Sequence, residues 1–247
     1  MADLKIMKYI LCLAVLLALA AGGYWLYNFS FRPAYANVLP RNVTILDSQT
    51  VWPHIEAVNN RAVQNQLNQY LEEELARFTD SIKESKAAVQ IDYRVNFNKN
   101  NIVSLTITEL VSPPRAAHPM TYLKAFTVNL KTGHLYQFSE LFRPDSDYLA
   151  RVNAIIQKQI SQKQITFIAA YSGIKENNQE FYLTPTALVV YYQLYEYTPY
   201  VYGFLKFSVP YAEIADVLLP EIHQAIQPDQ TGGLNKNKTD ALPGASL

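Results

Sequence analysis

Hydrophobic and polar residues alternate along Val89–Phe97. Val89, Ile91, Tyr93, Val95 and Phe97 point one way, and Gln90, Asp92, Arg94 and Asn96 the other, which predicts a strand with one dry and one wet face. Asn98-Lys99-Asn100-Asn101 supplies turn chemistry, and Val103, Leu105 and Ile107 begin a partner strand, giving a hairpin. A third strand, 122–130, ends at Lys131-Thr132-Gly133, where glycine offers a left-handed residue. Helical periods lie on either side. Val63, Leu67, Tyr70, Leu71, Leu75 and Phe78 recur every three or four positions and predict a helix over 60–79, capped by Asn59 or Asn60. Leu149, Val152, Ile155, Ile156 and Ile160 predict a second helix, capped by Asp145 or Ser146.

The remaining segments are shorter. Residues 42–57 read as one or two strands broken near Trp52-Pro53. Residues 181–192, with a turn at Thr184-Pro185-Thr186, and 204–209 read as two more, before a helix near Tyr211. The Glu72-Glu73-Glu74 run reads as the wet side of the first helix. The sum is an α+β fold, a mainly antiparallel sheet with two to three helices packed on one face, preceded by one N-terminal transmembrane helix.

That last element is Tyr9–Tyr27, nineteen residues without a charge, preceded by Lys5 and Lys8 and closed by Tyr24, Trp25 and Tyr27. Nineteen residues at helical rise span a hydrocarbon core of about 30 Å, and the lysines keep the leading end cytoplasmic. The expected organisation is a cytoplasmic n-region 1–8, an anchor or signal segment 9–27, a linker 28–41, subdomains 42–134 and 135–226, and a disordered tail 227–247. The protein is then a single-pass membrane protein with its C-terminal domain outside the cytoplasm. Ala18-Leu19-Ala20 and Ala34-Tyr35-Ala36 leave open the alternative of secretion after signal cleavage.

Composition narrows the chemistry. Among 247 residues 49% are hydrophobic and 17% charged, and the formal net charge is zero. No basic field exists to hold a phosphate backbone, so no nucleic-acid partner is expected. The single cysteine, Cys12, lies in the N-terminal run, so an intramolecular disulfide is impossible. His54, His118, His134 and His223 are isolated in sequence, and neither a metal nor another cofactor is expected. Ser172-Gly173 lacks a nucleophile-elbow frame, so no catalytic residue is assigned. Glu109, Glu196 and Asp92 are carboxylates of the kind a glycosidase needs, each read as an exposed strand residue.

Residues 181–213 hold eight of the eighteen tyrosines, centred on Tyr195-Glu196-Tyr197-Thr198-Pro199-Tyr200. Aromatics with polar tips packed this densely form either a core layer or a binding face. Tyr195, Glu196, Tyr197, Tyr200 and Tyr202 are the expected ligand contacts, with His118 as an outlier.

Five stretches resemble the extracytoplasmic domains shared by the lysozyme-sensing anti-sigma factor RsiV and the peptidoglycan deacetylase PdaC. They are Val58–Leu71, Ala117-His118-Pro119, the hairpin Phe126–Gly133, Ser139-Glu140-Leu141-Phe142, and the tyrosine segment from Phe181 to Tyr211. The resemblance implies a PdaC-like N-terminal and an RsiV-like C-terminal subdomain from a bacterial envelope protein. The expected function is a non-enzymatic, membrane-anchored binding or sensor module. Its partner is a cell-wall glycan such as peptidoglycan, or an envelope or wall-directed protein such as lysozyme. About eight residues before the anchor argue against anti-sigma activity. The alternatives are a peptidoglycan-acting enzyme using carboxylates and a structural subunit of an envelope complex.

Overall fold

The computed structural model describes residues 14–23, 35–56, 58 and 60–227. Among the described residues antiparallel strands form three small sheets. The first is a hairpin of β1 (Asn37–Ile45) and β2 (Ser48–Glu56). It turns at Leu46, whose φ is +51°, rather than breaking at Trp52-Pro53. Pro53 is accommodated mid-strand opposite Pro40, where neither residue needs an N–H toward its partner. Asn37 starts β1 inside the stretch expected to be a linker.

Helix α1 (Arg61–Ile82) begins at Asn60, whose Oδ1 accepts hydrogen bonds from the N–H groups of Ala62 and Val63. It covers one face of the meander β3 (Ala88–Lys99), β4 (Ile102–Ser112) and β5 (Met120–Asn129). Leu67, Leu71 and Phe78 of α1 pack with Trp52, Ile91, Leu105 and Phe126 in the first hydrophobic core. Glu74 departs from the expected wet face. It is 8% exposed and paired with Arg77 and Lys124.

The clean alternation of β3 fails at its far end. A register shift lies between Val95 and Phe97, so Val95 opposes Leu105 while Phe97 opposes Ser104. The extra residue reverses the facing of the strand beyond it, as a bulge does. Val95 is left exposed, and Phe97 enters a second core. Nor does β4 have a wet face. Ser104 and Thr106 are buried, the Ser104 hydroxyl lies 2.8 Å from that of Thr127, and it accepts the Leu183 N–H.

That second core lies between α2 (Tyr148–Lys163) and a sheet of β6 (Phe181–Leu183), β7 (Ala187–Tyr192) and β8 (Leu205–Pro210), closed by α3 (Tyr211–Ile214) and α4 (Pro220–Ile226). The helices are therefore shared between two cores rather than gathered on one face. Asp147, not Asp145 or Ser146, occupies the N-cap of α2, and its side chain makes no capping bond.

Three side-chain amides close strand edges. Asn68 bonds both N–H and C=O of Ile55, Asn98 those of Ala36, and Gln193 those of Leu123. Each carboxamide stands where a neighbouring strand would pair, which satisfies backbone groups that otherwise invite another chain.

Residues 14–23 are helical and exposed. Among the described residues no helix is long and apolar enough to cross a membrane. The rest of the expected 9–27 span lies outside the described residues, as does the expected tail beyond Gln227.

Candidate functional site

The tyrosine segment divides according to which way the chain faces. Tyr192 is 1% exposed and Tyr197 6%; their rings meet edge to face at 5.0 Å, and both pack against Tyr171. The Tyr197 hydroxyl lies 3.2 Å from that of Ser172. A ring in this position cannot reach a ligand, so Tyr197 is withdrawn from the expected contacts. Its neighbours in sequence point outward. Tyr195, Tyr200 and Tyr202 are exposed, and Val201 is 87% exposed.

Tyr195 holds a φ of +64° at the third position of the turn Gln193–Glu196, closed by the Glu196 N–H on the Gln193 carbonyl. A left-handed residue there is usually glycine or asparagine, so a tyrosine carries backbone strain of about 1 kcal/mol or more. The turn is held from both sides. Glu196 Oε2 accepts the Gln193 N–H at 3.0 Å, and its other oxygen pairs with Lys175 at 2.6 Å. Glu196 is thus a brace for the turn, with its carboxylate already engaged. Gln193 in turn ties the segment to the edge of β5 at Leu123.

The brace aims Tyr195 toward a residue from the other half of the chain. His118, on the loop between β4 and β5, lies with its ring 4.7 Å from that of Tyr200 and 6.5 Å from that of Tyr195. Tyr195 and Tyr200 are 5.7 Å apart, and the three rings are tilted by 28–32° to one another. His118 Nδ1 lies 3.0 Å from the Pro119 carbonyl. A carbonyl only accepts, so Nδ1 carries the hydrogen and Nε2 faces the Tyr195 hydroxyl, 3.4 Å away, with its lone pair. These rings wall an open groove of about 820 Å³ shared with Thr121, Leu194, Pro199, Val201, Gly203 and Phe204. Among the described residues no carboxylate, ammonium or guanidinium lines it. The structure therefore brings His118, Tyr195 and Tyr200 together. Tyr202 stands apart, its hydroxyl accepting the Thr166 N–H at 3.2 Å.

A second polar cluster lies in the seam where β4 and β5 meet α1. Glu109, expected to be exposed, is 2% exposed. Burial pushes its carboxyl up to about 7, with Lys124 opposing and Glu74 reinforcing the shift. For Glu74, burial acts upward too, but hydrogen bonds from Arg77 and Lys124 outweigh it and hold the carboxyl below its ordinary value. Across the seam, burial raises the Glu180 carboxyl, whose two oxygens accept from Gln193 Nε2 at 3.0 and 2.8 Å. The sequence carried a signal for this. Glu109 shares the phase of Val103, Leu105, Ile107 and Val111, all buried. Asp92 is exposed as expected, its carboxylate accepting the Tyr93 N–H. Among the described residues no group of three or more histidine, cysteine, aspartate or glutamate side chains could hold a metal ion.

The molecule is thus a two-core α+β protein with an aromatic groove assembled from both halves. Residues 139–212 match the family model described as "Protein of unknown function (DUF3298)". Solved DUF3298 structures share the fold. A family member from Bacteroides fragilis NCTC 9343 superposes with a TM-score of 0.56 at 13% identity, covering 79% of this chain and 98% of that one. One from Pseudomonas aeruginosa PAO1 gives 0.57 at 11% identity, covering 78% and 98%. Among curated proteins, "Esterase Rv3036c" of Mycobacterium tuberculosis is 32% identical over 102 residues, 40% of this chain and 44% of that protein. The chain therefore spans less than half the length of that relative.

Proposed function

We propose that this chain is an extracytoplasmic binding module of the bacterial envelope, held to the membrane through residues 9–27, whose His118–Tyr195–Tyr200 groove takes the uncharged face of a wall glycan. The observation that carries this reading is the groove itself: three aromatic rings from two halves of the chain, held in a strained, braced geometry around an uncharged cleft. Strain retained in a surface turn fits a place where a side chain must be presented rather than buried. Aromatic faces with a few polar groups fit sugar rings, and about 820 Å³ is within the size of ordinary ligand sites.

The test is to mix the purified full chain with peptidoglycan, sediment the wall, and read the supernatant by mass spectrometry. Protein in the pellet above intact glycan supports the reading. Protein left in the supernatant overturns it and makes a wall-directed protein such as lysozyme the next ligand tried.

A second reading, ester hydrolysis, is favoured by the similarity to the mycobacterial esterase. It requires a site other than the groove, because His118 there faces a tyrosine hydroxyl and, among the described residues, no carboxylate orients it.

A further inference from the structure

Away from the groove, the chain leaves β5 at Asn129 and reverses through Lys131-Thr132-Gly133. Asn129 Oδ1 accepts the Lys131 and Thr132 N–H groups, and the Asn129 carbonyl accepts that of Gly133. Gly133 has a φ of +76°, and a Cβ there would stand 2.6 Å from Gln66 Oε1. Glycine suits this left-handed backbone, and a side chain there would have to push the Gln66 carboxamide aside. The next residue, His134, is fixed by its N–H on Thr132 Oγ1 and by Tyr136, whose ring meets the imidazole edge to face at 5.0 Å.

His134 Nε2 lies 3.0 Å from Glu140 Oε2, and that oxygen also accepts the Gln137 N–H at 2.7 Å. An ionised carboxylate only accepts, so Nε2 carries the hydrogen, and in the neutral ring Nδ1 holds the lone pair. Among the described residues Nδ1 has no hydrogen-bond partner. His134 lines a cleft of about 400 Å³, and Gln66, Gln69, Tyr70 and Glu73 form its opposite wall. Their spacing puts these four on one face of α1. Two donors there are spare. The Tyr70 hydroxyl makes no hydrogen bond among the described residues, and Gln66 Nε2 makes only a long one, 3.5 Å, to the Gly133 carbonyl.

We propose that this cleft is a hydrolytic site for small carboxylic esters, with His134 as the catalytic base and Glu140 as its positioning residue. His134 Nδ1 removes a proton from water as the water oxygen bonds to the ester carbonyl carbon. Gln66 Nε2 or the Tyr70 hydroxyl donates to the carbonyl oxygen as it becomes negative. The acyl C–O bond then breaks, and the proton on His134 passes to the leaving alkoxide. One ester and one water become one acid and one alcohol, and the imidazole is restored. Glu73 on the wall disfavours anionic esters, so the class is neutral acyl esters.

The test uses the purified full chain, p-nitrophenyl acetate and circular dichroism of each variant. The expected result is saturable hydrolysis, with kcat/KM at least about tenfold above the rate constant of free imidazole at the same pH. His134→Gln, at a half-exposed position, keeps the fold and brings the rate to the imidazole level. Glu140→Gln keeps an acceptor for the Gln137 N–H but can present an N–H to the ring and favour the other tautomer. It is expected to lower kcat at least tenfold with KM unchanged, which loss of a turn cap alone would not do. Hydrolysis no faster than free imidazole, or a saturable rate that survives in His134→Gln, overturns the proposal. Neither outcome touches the reading of the groove.

Discussion

The groove and the seam use the same residue types in opposite ways. In the seam, Tyr191 and Gln193 meet Glu180 and the edge of β5, and Lys124 bridges to Glu74, so these polar groups find protein partners. In the groove, a few residues along the same segment, Tyr195 and Tyr200 hold exposed rings against His118, and the Tyr200 hydroxyl has no hydrogen bond among the described residues. Buried polar groups must be paired because an orphan costs about 1–3 kcal/mol. An exposed ring carries no such demand, so its position reflects what the backbone presents. On the proposed reading, the seam serves stability and the groove recognition.

Substitutions can break that division, and the largest effect belongs on the inner side. Tyr197→Ala empties a position between Tyr171 and Tyr192 and is expected to cost about 3–5 kcal/mol in denaturant unfolding. Glu109 gives the next effect, through pH. Its folded pKa is raised to about 7 from 4.5, so the folded state holds the proton more tightly than the unfolded chain. Well below pH 4.5 both states hold the proton and burial of the carboxyl carries no ionisation penalty. Stability falls as pH rises through that window, by at most about 3 kcal/mol, and the loss levels off above pH 7. Glu109→Gln is therefore expected to be more stable than the parent at pH 8 and equal to it at pH 4, read from urea midpoints at the two values. Gln193→Ala strips Leu123 of both backbone partners and is expected to cost about 2 kcal/mol.

The outer side should respond weakly and with an unusual sign. Because Tyr195 sits at φ +64°, Tyr195→Gly is expected to be more stable than Tyr195→Ala by about 1 kcal/mol, the reverse of the order in a helix. Thermal melts of the two variants check this. Tyr200→Ala should change stability by no more than about 0.5 kcal/mol.

The legible features of the chain were local ones. Asn60 as a cap, the left-handed Asn100 and Asn101, and Gly133 at its turn each rest on one or two residues' own chemistry. The errors came from contacts distant in sequence. Ser104 and Thr106 look like a wet face until β6 covers them, and nothing in Val89–Phe97 announces the bulge that turns Phe97 into the second core. Asp145 resembled a cap but adopts a left-handed φ of +61° before the helix begins. Within the tyrosine segment, density marked the region but not the sides. The irregular 193–204 connection breaks the two-residue period that would have separated Tyr197 from Tyr195 and Tyr200. His118 was legible only as a turn residue, because its two ring partners lie more than seventy positions away.

The central claim is that recognition belongs to the groove of His118, Tyr195 and Tyr200 and not to the buried tyrosines. Peptidoglycan-binding isotherms of the parent and of Tyr195→Ala and Tyr200→Ala, each paired with a thermal melt, test it most directly. The account predicts at least about tenfold weaker binding in both variants with melting temperatures near the parent's. Unchanged isotherms from folded variants would contradict it.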